Sequence, residues 1–498
     1  MTRMTKMAAA LTCAGVGVAL STIGAVEPVN PLINKLYTKI ATTRPNIILI
    51  TSDQQRLDTL GCYGSTFALS PNADRLAREG VRFTDSFSAC PVCMPVRATW
   101  LTGVYTPIHG IIENATGSRD ESLVTYPEFL RNEKYKTILM GKTHFGKDKG
   151  YFDVFAHYAE SNPNDPMVAQ RSIEEMQKAV SNGETFFVHA SMLAPHGPFP
   201  DPAKNPDFKR WLDYYSTVDL PDINYRESEF ANIPDMVKMI VGLEKAPGEN
   251  DQKLSFRREY YAYASLFDEQ LGKILDYLDK NNLRKNTLII FTSDHGFTLG
   301  DHGIMDKHTY YNGSWRVPLI ISQPGTIPQG ETRDFAVSTD ITATILAAAG
   351  INSKTVQGFD LYTPLKNGQA SPRRSGVASI YKSQALCTKR FKVAYYEEER
   401  VGQLYDLKLD PLEQNNLFDT PEYAAVQKAM LDALFAWRAD LTNVQDLILN
   451  TSPNGGPAVV RMFNHTVAIR GVDAEIRLNQ AAEWIDNNTD MLLSMGKK

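Results

Sequence analysis

Asn46-Ile47-Ile48-Leu49-Ile50-Thr51 is a run of apolar residues closed by a threonine, and Asp53 and Gln54 follow at once. Thr287 to Thr292 (TLIIFT) repeats the pattern and ends at Asp294 and His295. Thr137 to Met140 (TILM) ends at Lys142 and His144, Phe186 to Met192 leads to His196, and Pro318 to Ser322 (PLIIS) follows Arg316. Short runs that are apolar at consecutive positions bury both faces, which predicts strands of a buried parallel sheet. Between them lie helical patterns. The clearest is Phe267, Leu271, Ile274, Leu275 and Leu278, whose spacing makes one apolar stripe. Strands alternating with helices predict an α/β fold, a large and mostly parallel sheet with helices on both faces. In such sheets ligands sit beyond the carboxyl ends of the strands, where these polar residues fall, so the pattern predicts one shared site.

The rhythm breaks from about Pro200 to Asn250, a stretch rich in Pro, Asp and aromatics (Trp211, Tyr214, Tyr215, Tyr225) that reads as an excursion over the mouth of that site. After about Val377 the texture changes. Arg390 to Tyr396 and Gln403 to Leu407 are strand candidates, and a helix is expected from Glu422 to about Asp440, which makes a smaller C-terminal α+β domain. At the other end, Arg3 and Lys6 precede an apolar, small-residue run from Met7 to Val26, the layout of a secretory signal with cleavage expected after Ser21 or Ala25. The expected organisation is a signal peptide over 1–26, a catalytic α/β domain over 27–376 and a C-terminal α+β subdomain and tail over 377–498. Export to the periplasm or outside the cell follows, with no stable membrane insertion after cleavage.

Composition narrows the function classes. The 498 residues are 43% hydrophobic and 22% charged, enough for a substantial core. Lys plus Arg is 52 against Asp plus Glu at 57, a formal charge of -5, which argues against nucleic acid as a partner and makes any anion site local. Five scattered cysteines do not make a disulfide framework. Cys90-Pro91-Val92-Cys93 lacks the second ligand pair that a structural metal site needs.

Chemistry centres on Cys93-Met94-Pro95-Val96-Arg97, followed by Ala98-Thr99-Trp100-Leu101-Thr102-Gly103. Pro95 suits the first turn of a helix, which puts Cys93 at a helix N-terminus where unpaired N–H groups favour an anion. Here the sequence resembles the sulfatase family, whose signature is Cys-x-Pro-x-Arg with Thr-Gly close behind. The resemblance runs over nearly the whole chain beyond the leader. It includes Asp53-Gln54, Ser70-Pro71-Asn72-Ala73-Asp74-Arg75-Leu76, Gly141-Lys142-Thr143-His144-Phe145-Gly146, Pro195-His196-Gly197-Pro198, Ser293-Asp294-His295-Gly296, Lys307, Arg316-Val317-Pro318 and Leu404-Tyr405-Asp406-Leu407.

That resemblance implies an alkaline-phosphatase-like fold and oxidation of Cys93 to formylglycine (3-oxoalanine) by a formylglycine-generating enzyme during maturation. Asp53 and Asp294 each end a strand, and two carboxylates there are costly unless a cation joins them. Oxygen donors suit a hard ion, and the family favours Ca²⁺; the imidazole of His295, where the family carries Asn or His, leaves Mg²⁺ or Mn²⁺ open. Residue 93 completes the ligand set. Gln54 stands where a second Asp is common, and either ligates through its amide oxygen or hydrogen-bonds nearby. By resemblance the catalytic residues are Cys93, Arg97, Lys142, His144, His196 and Lys307. The hydrated aldehyde at 93 attacks sulfur, with Arg97 and the metal lowering the cost of its alkoxide. Lys142 and Lys307 neutralise the sulfuryl oxygens, His196 protonates the leaving alcohol and His144 takes the proton that lets sulfate depart. The remaining histidines read as structural (His157, His189, His465) or unassigned (His109, His302, His308).

The expected function is hydrolysis of a sulfate ester, of a sulfated small molecule or polysaccharide and most of all a carbohydrate. One rival is a phosphonate or phosphate ester hydrolase of the same superfamily. The other is a non-catalytic sulfatase-like binding protein, which would be expected to lack one of these residues.

Overall fold

The run at 46–51 becomes the buried centre of a sheet. In the computed structural model, which describes residues 44–114, 119–145, 150–158, 164–240, 250–353, 355–451 and 473–496, the strands β1 (Asn46–Asp53), β2 (Val81–Phe87), β3 (Lys136–Gly141), β4 (Val154–His157), β5 (Phe186–Pro195), β6 (Thr287–Ser293), β7 (Leu319–Ser322) and β8 (Glu331–Val337) form one sheet. Their order is β4-β3-β5-β1-β6-β7-β2-β8. β1 pairs in parallel with β5 on one side and β6 on the other. β7 is antiparallel to both its neighbours, so the Pro318 to Ser322 run is a buried strand as expected but of reversed direction. An apolar run reports burial on both faces, which the covering helices decide, and carries no information on strand polarity.

Alternate residues of each strand feed two different cores. Ile48 and Ile50 pack with the helices α1 (Pro71–Arg78), α3 (Asp165–Ser181) and α4 (Asp251–Lys280), where Phe267, Leu271, Ile274, Leu275 and Leu278 form the expected buried stripe. Ile47 and Leu49 face Val96, Trp100 and Leu101 of α2 (Cys93–Thr102) and Ile341, Ile345 and Leu346 of α5 (Ser338–Ala348). Each fully buried aliphatic side chain contributes about 1.5–3 kcal/mol, so β1 is fixed from both sides and the residue at its end is held with it.

The aromatic stretch after Pro200 corrects the expectation of a mouth-covering excursion. Helix Pro206–Ser216 packs along α4: Phe208 and Tyr215 are buried in the core, and Trp211 and Tyr214 lie against it. The Tyr215 hydroxyl bonds the Leu69 N–H at 3.0 Å and Ser265 at 2.8 Å. An aromatic count cannot separate a core-facing helix from a lid. Among the described residues, the later segment behaves as a strap: Asn224 accepts the His302 N–H and donates to the Leu412 carbonyl at 2.7 Å.

Four antiparallel strands, β9 (Gly376–Ile380), β10 (Ser383–Cys387), β11 (Phe391–Tyr396) and β12 (Val401–Asp406), make the second sheet, order β12-β11-β10-β9. The helix α6 (Ala424–Thr451) lays Val426, Met430, Leu434, Trp437 and Leu441 on it, a stripe at helical spacing. The two sheets meet where Gly376 passes Phe87 so closely that a Cβ would lie 2.3 Å from the ring. The proposed leader and His465 lie outside the described residues.

Arg373 locks this assembly. Fully buried, it pairs with Asp340 of α5 at 2.6 Å and with Glu475, which also accepts the Trp437 indole N–H at 2.7 Å. Removing the guanidinium leaves two buried carboxylates unpaired, a loss of about 3–5 kcal/mol. Arg373→Ala is expected to lower the urea midpoint sharply, while Arg75→Ala, which breaks half-exposed pairs with Asp276 and Asp279, moves it little; equal shifts in the two variants would contradict this.

Candidate active site

Four of the five strand ends singled out in the sequence converge on one place, whereas Arg316, at the start of the fifth run, pairs with Asp85 at 3.4 Å and takes no part in it. Asp53 closes β1, Asp294 follows β6, Lys142 follows β3, His196 follows β5, and Cys93 opens α2. Asp53, Arg97, Asp294 and His295 have no exposed surface, and Cys93 has 1%.

Arg97 lies across the two carboxylates. Its Nη2 donates to Asp53 Oδ2 and its Nε to Asp294 Oδ2, both at 2.9 Å, while Nη1 donates to Ser191 Oγ at 2.9 Å. Lys142 Nζ also meets Asp53 Oδ2, at 2.6 Å. Burial raises the Asp53 carboxyl and the Cys93 thiolate adds to that, but Lys142, His196 and Arg97 outweigh both and hold it well below the usual range. Asp294 moves the other way, pushed up by burial and by Asp53. Its Oδ1 accepts the N–H groups of Gln54 and His295 at 2.9 Å each.

Cys93 faces a ring of polar groups. His295 Nε2 is 3.0 Å and Lys307 Nζ 2.9 Å from Sγ, and Asp53 Oδ1 is 3.8 Å away. His144 and His196 both hydrogen-bond the sulfur. Burial opposes a thiolate here, yet Lys142, Lys307 and His295, with the bond from His144, hold the thiol well below its ordinary value. His295 Nδ1 is 2.7 Å from the Gly296 carbonyl, which only accepts, so that nitrogen carries the proton and Nε2 is presented to residue 93. His196 is fixed in the same way by the Gly197 carbonyl, and its Nε2 stands 3.5 Å from Lys307 Nζ. Burial lowers the His196 ring, but Asp53 and the bond to Cys93 leave it raised.

Oxygen, nitrogen and sulfur atoms of Asp53, Cys93, Asp294 and His295 lie within 4.8 Å of one another, all buried. That donor set fits a hard divalent ion with one imidazole ligand. Gln54 Oε1 lies 3.5 Å from Lys307 Nζ, which is the hydrogen-bonding alternative for this side chain. Gln54 and His144 both adopt left-handed backbone, with φ of 66° and 53°, a conformation that non-glycine residues hold only where their surroundings enforce it. Gly141 explains the entry to the Lys142 segment: its φ is 108° and a Cβ would lie 1.8 Å from the Ser191 carbonyl oxygen.

Sequence reasoning missed four supports. Ser191 receives Arg97, and its signal was a hydroxyl in an otherwise apolar strand. Ser88 Oγ donates to the Asp294 carbonyl at 2.6 Å, and Asn114 Oδ1 accepts the Met94 N–H at 2.9 Å in the first turn of α2. Asp165 accepts the N–H groups of Leu193 and Ala194, each at 2.8 Å, just before His196, where β5 carries extra residues relative to β1. Burial pushes its carboxyl up to about 6. Of the other histidines, His189 is structural as expected, wedged between Thr51 and Tyr126 and pushed down to about 3 by burial and Arg97.

Comparison with known proteins agrees with this geometry. The sulfatase family model matches residues 45–351, and the model of the C-terminal region of N-sulphoglucosamine sulphohydrolase matches 300–440. An N-acetylglucosamine-6-O-sulfatase of Bacteroides thetaiotaomicron is 27% identical over 484 residues, covering 80% of this chain and 86% of that protein. A solved structure of an enzyme in complex with its substrate D-glucosamine-2-N,6-O-disulfate superposes with a TM-score of 0.68 at 24% identity, over 82% of this chain and 99% of the other. A phosphonate monoester hydrolase of Agrobacterium radiobacter shares the fold at TM-score 0.66 and 24% identity, over 80% and 96%. With the family model spanning the whole eight-stranded sheet, the chain belongs to the sulfatase family of sulfuric ester hydrolases.

Proposed function

We propose that the protein is an exported sulfatase that removes sulfate from a carbohydrate ester, with residue 93 oxidised to formylglycine and Ca²⁺ held by Asp53, Asp294, His295 and the oxidised side chain. The observation that carries this reading is the meeting of four buried ligand atoms within 4.8 Å, with Lys307 2.9 Å from position 93. Mg²⁺ or Mn²⁺ is the alternative, because carboxylate oxygens suit all three ions and one imidazole ligand does not select calcium. The carbohydrate assignment draws on the relative named for N-acetylglucosamine 6-O-sulfate, and export draws on the apolar run Met7 to Val26.

The Cys93 Sγ stands where a hydroxyl of the hydrated aldehyde would lie. A divalent ion at this centre supplies positive charge that favours an oxyanion at 93 and withdraws charge from sulfuryl oxygens. Lys307 and Lys142, kept protonated by the anions around them although burial opposes it, neutralise the oxygens of the sulfuryl group in flight. His196 Nε2 donates the proton to the departing alcohol oxygen; its raised pKa keeps that proton available. His144, on the sulfur side of residue 93, takes the proton from the second hydroxyl, so that sulfate leaves and the aldehyde returns. Arg97 supplies fixed positive charge that lowers the cost of an anion at 93. It holds both carboxylates in register through Oδ2. Because Cys93 is 1% exposed, the formylglycine-generating enzyme must act before this chain folds.

Mass spectrometry of the peptide containing residue 93 from the native producer is expected to show an aldehyde in place of the thiol, and that material to release sulfate from 4-nitrophenyl sulfate or N-acetylglucosamine 6-sulfate. An unmodified thiol in active protein, or faster hydrolysis of the matched phosphate esters, would overturn the reading. Cys93→Ser has no second hydroxyl and is expected to stop with sulfate attached after one turnover at most; steady turnover would refute the release step. Calcium is expected to raise the thermal midpoint of chelator-treated protein and to restore its activity, by about 2.7 kcal/mol of stabilisation at a hundredfold excess over Kd. Asp294→Ala should show neither effect, and an unchanged wild-type midpoint with calcium would count against the metal set.

A further inference from the structure

Lys307 must be held accurately, yet it sits in a loop with no strand or helix beneath it. Its neighbours supply the support. The Lys307 N–H donates to Asp306 Oδ1 at 2.7 Å, and Asp306 is pinned through its backbone to Thr298, whose hydroxyl lies 3.1 Å from the Asp306 N–H. On the other side His308 takes a left-handed φ of 66° and donates its N–H to the Pro91 carbonyl, two residues before Cys93. The His308 ring spans two carboxylates: Nε2 is 3.2 Å from Glu113 Oε1 and Nδ1 3.7 Å from Asp306 Oδ1. Glu113 Oε1 also accepts the N–H of Asn114 at 2.6 Å, and Asn114 caps Met94. The contacts therefore close a ring that runs from Cys93 through Met94, Asn114, Glu113, His308 and Lys307 back to Sγ.

We propose that the Glu113–His308–Asp306 ion-pair triad is the device that positions Lys307 against residue 93, with His308 a positioning residue that touches neither the sulfate nor the metal ligands. The inference rests on the reading of Lys307 as the group that neutralises sulfuryl oxygens. Its chemistry is coherent. Burial opposes a charged His308, but the facing carboxylates of Asp306 and Glu113 push the ring up to about 9, so it stays a cation through neutral pH. Glu113 and Asp306 are held low in return, each against burial by the facing imidazole. Lys307 adds a like charge nearby, and the Cys90 thiol behind Glu113, pushed up by burial and by that carboxylate, stays neutral. With charge on all three members, the loop is tied to both flanks of position 93. When His308 loses its proton, the tie to Glu113 weakens and Lys307 is released from its place.

A double-mutant cycle on the formylglycine-bearing, metal-loaded enzyme separates this from a general structural role. His308→Gln and Glu113→Gln are each expected to lower kcat for 4-nitrophenyl sulfate by about ten- to a hundredfold with KM changed far less, since misplacement by an ångström is enough for such losses. In a Lys307→Ala background His308→Gln should add almost nothing, because its effect passes through the lysine. Beyond the limb that the His196 acid imposes, wild-type kcat should show a further fall at about pH 9 that Lys307→Ala lacks. In Glu113→Gln that further fall should move to lower pH, since a ring with one carboxylate fewer loses its proton sooner. Additive losses, or a fall near pH 9 that persists in Lys307→Ala or is unmoved by Glu113→Gln, would overturn the proposal. Binding of inorganic sulfate, measured by calorimetry on the wild type, His308→Gln, Lys307→Ala and their double variant, reports the placement of Lys307 without catalysis. It should be weakened alike and without additivity by the two substitutions, and additivity there overturns the proposal as well. A wild type that binds sulfate but hydrolyses no sulfate ester would defeat the functional reading instead, leaving the cycle in sulfate binding to judge the triad.

Discussion

Two carboxylates with no exposed surface, at the ends of adjacent parallel strands, set the terms for the rest of the molecule. Asp53 and Asp294 are affordable inside a protein only if positive charge and hydrogen-bond donors meet every oxygen. Arg97 answers on one side of both, Lys142 adds to Asp53, and two backbone N–H groups satisfy Asp294. The remaining directions point to residue 93 and His295. A site built in this way is rigid for electrostatic reasons, since a shift of any member exposes a buried charge to an unpaired state.

The scaffold holds the pair from behind. β1 buries Ile48 and Ile50 on one face and Ile47 and Leu49 on the other, so neither rotation nor slippage of the strand is open to it. Irregular backbone then does the aiming. The left-handed turns at Gln54 and His144, the close passage at Gly141, and the Asp165 carboxylate under the end of β5 turn side chains from four strands towards one volume of a few ångströms. The second sheet and its helix contribute through packing at Gly376 and Phe87 and through the buried Arg373 network, which keep the far edge of the first sheet in place.

Much of this was legible in the amino-acid order. Continuous apolar runs ending in Asp, Lys or His revealed β1, β3, β5 and β6 together with the residues at their ends, because burial and catalysis leave opposite chemical marks on neighbouring positions. The helical stripe of α4 was equally plain. β2 (VRFTDSF), the polar β8 (ETRDFAV) and the four-residue β4 carry too few apolar residues to stand out, and the polarity of β7 leaves no trace in composition. The aromatic stretch around Trp211 misled for the same reason: its rings satisfy a helix face as well as a binding surface. In the site, residue types with rare chemistry were found, whereas Ser88, Ser191, Asn114 and Asp165 were missed. Their roles depend on contacts with residues distant in sequence.

The most direct measurement is a crystal structure of the mature protein grown with calcium, read by anomalous scattering. The expected result is one ion at roughly 2.3–2.6 Å from oxygens of Asp53, Asp294 and the oxidised residue 93, with Arg97 still lying across the carboxylates. An ion bound elsewhere, or a centre in which Arg97 alone bridges the two aspartates at saturating calcium, would contradict it.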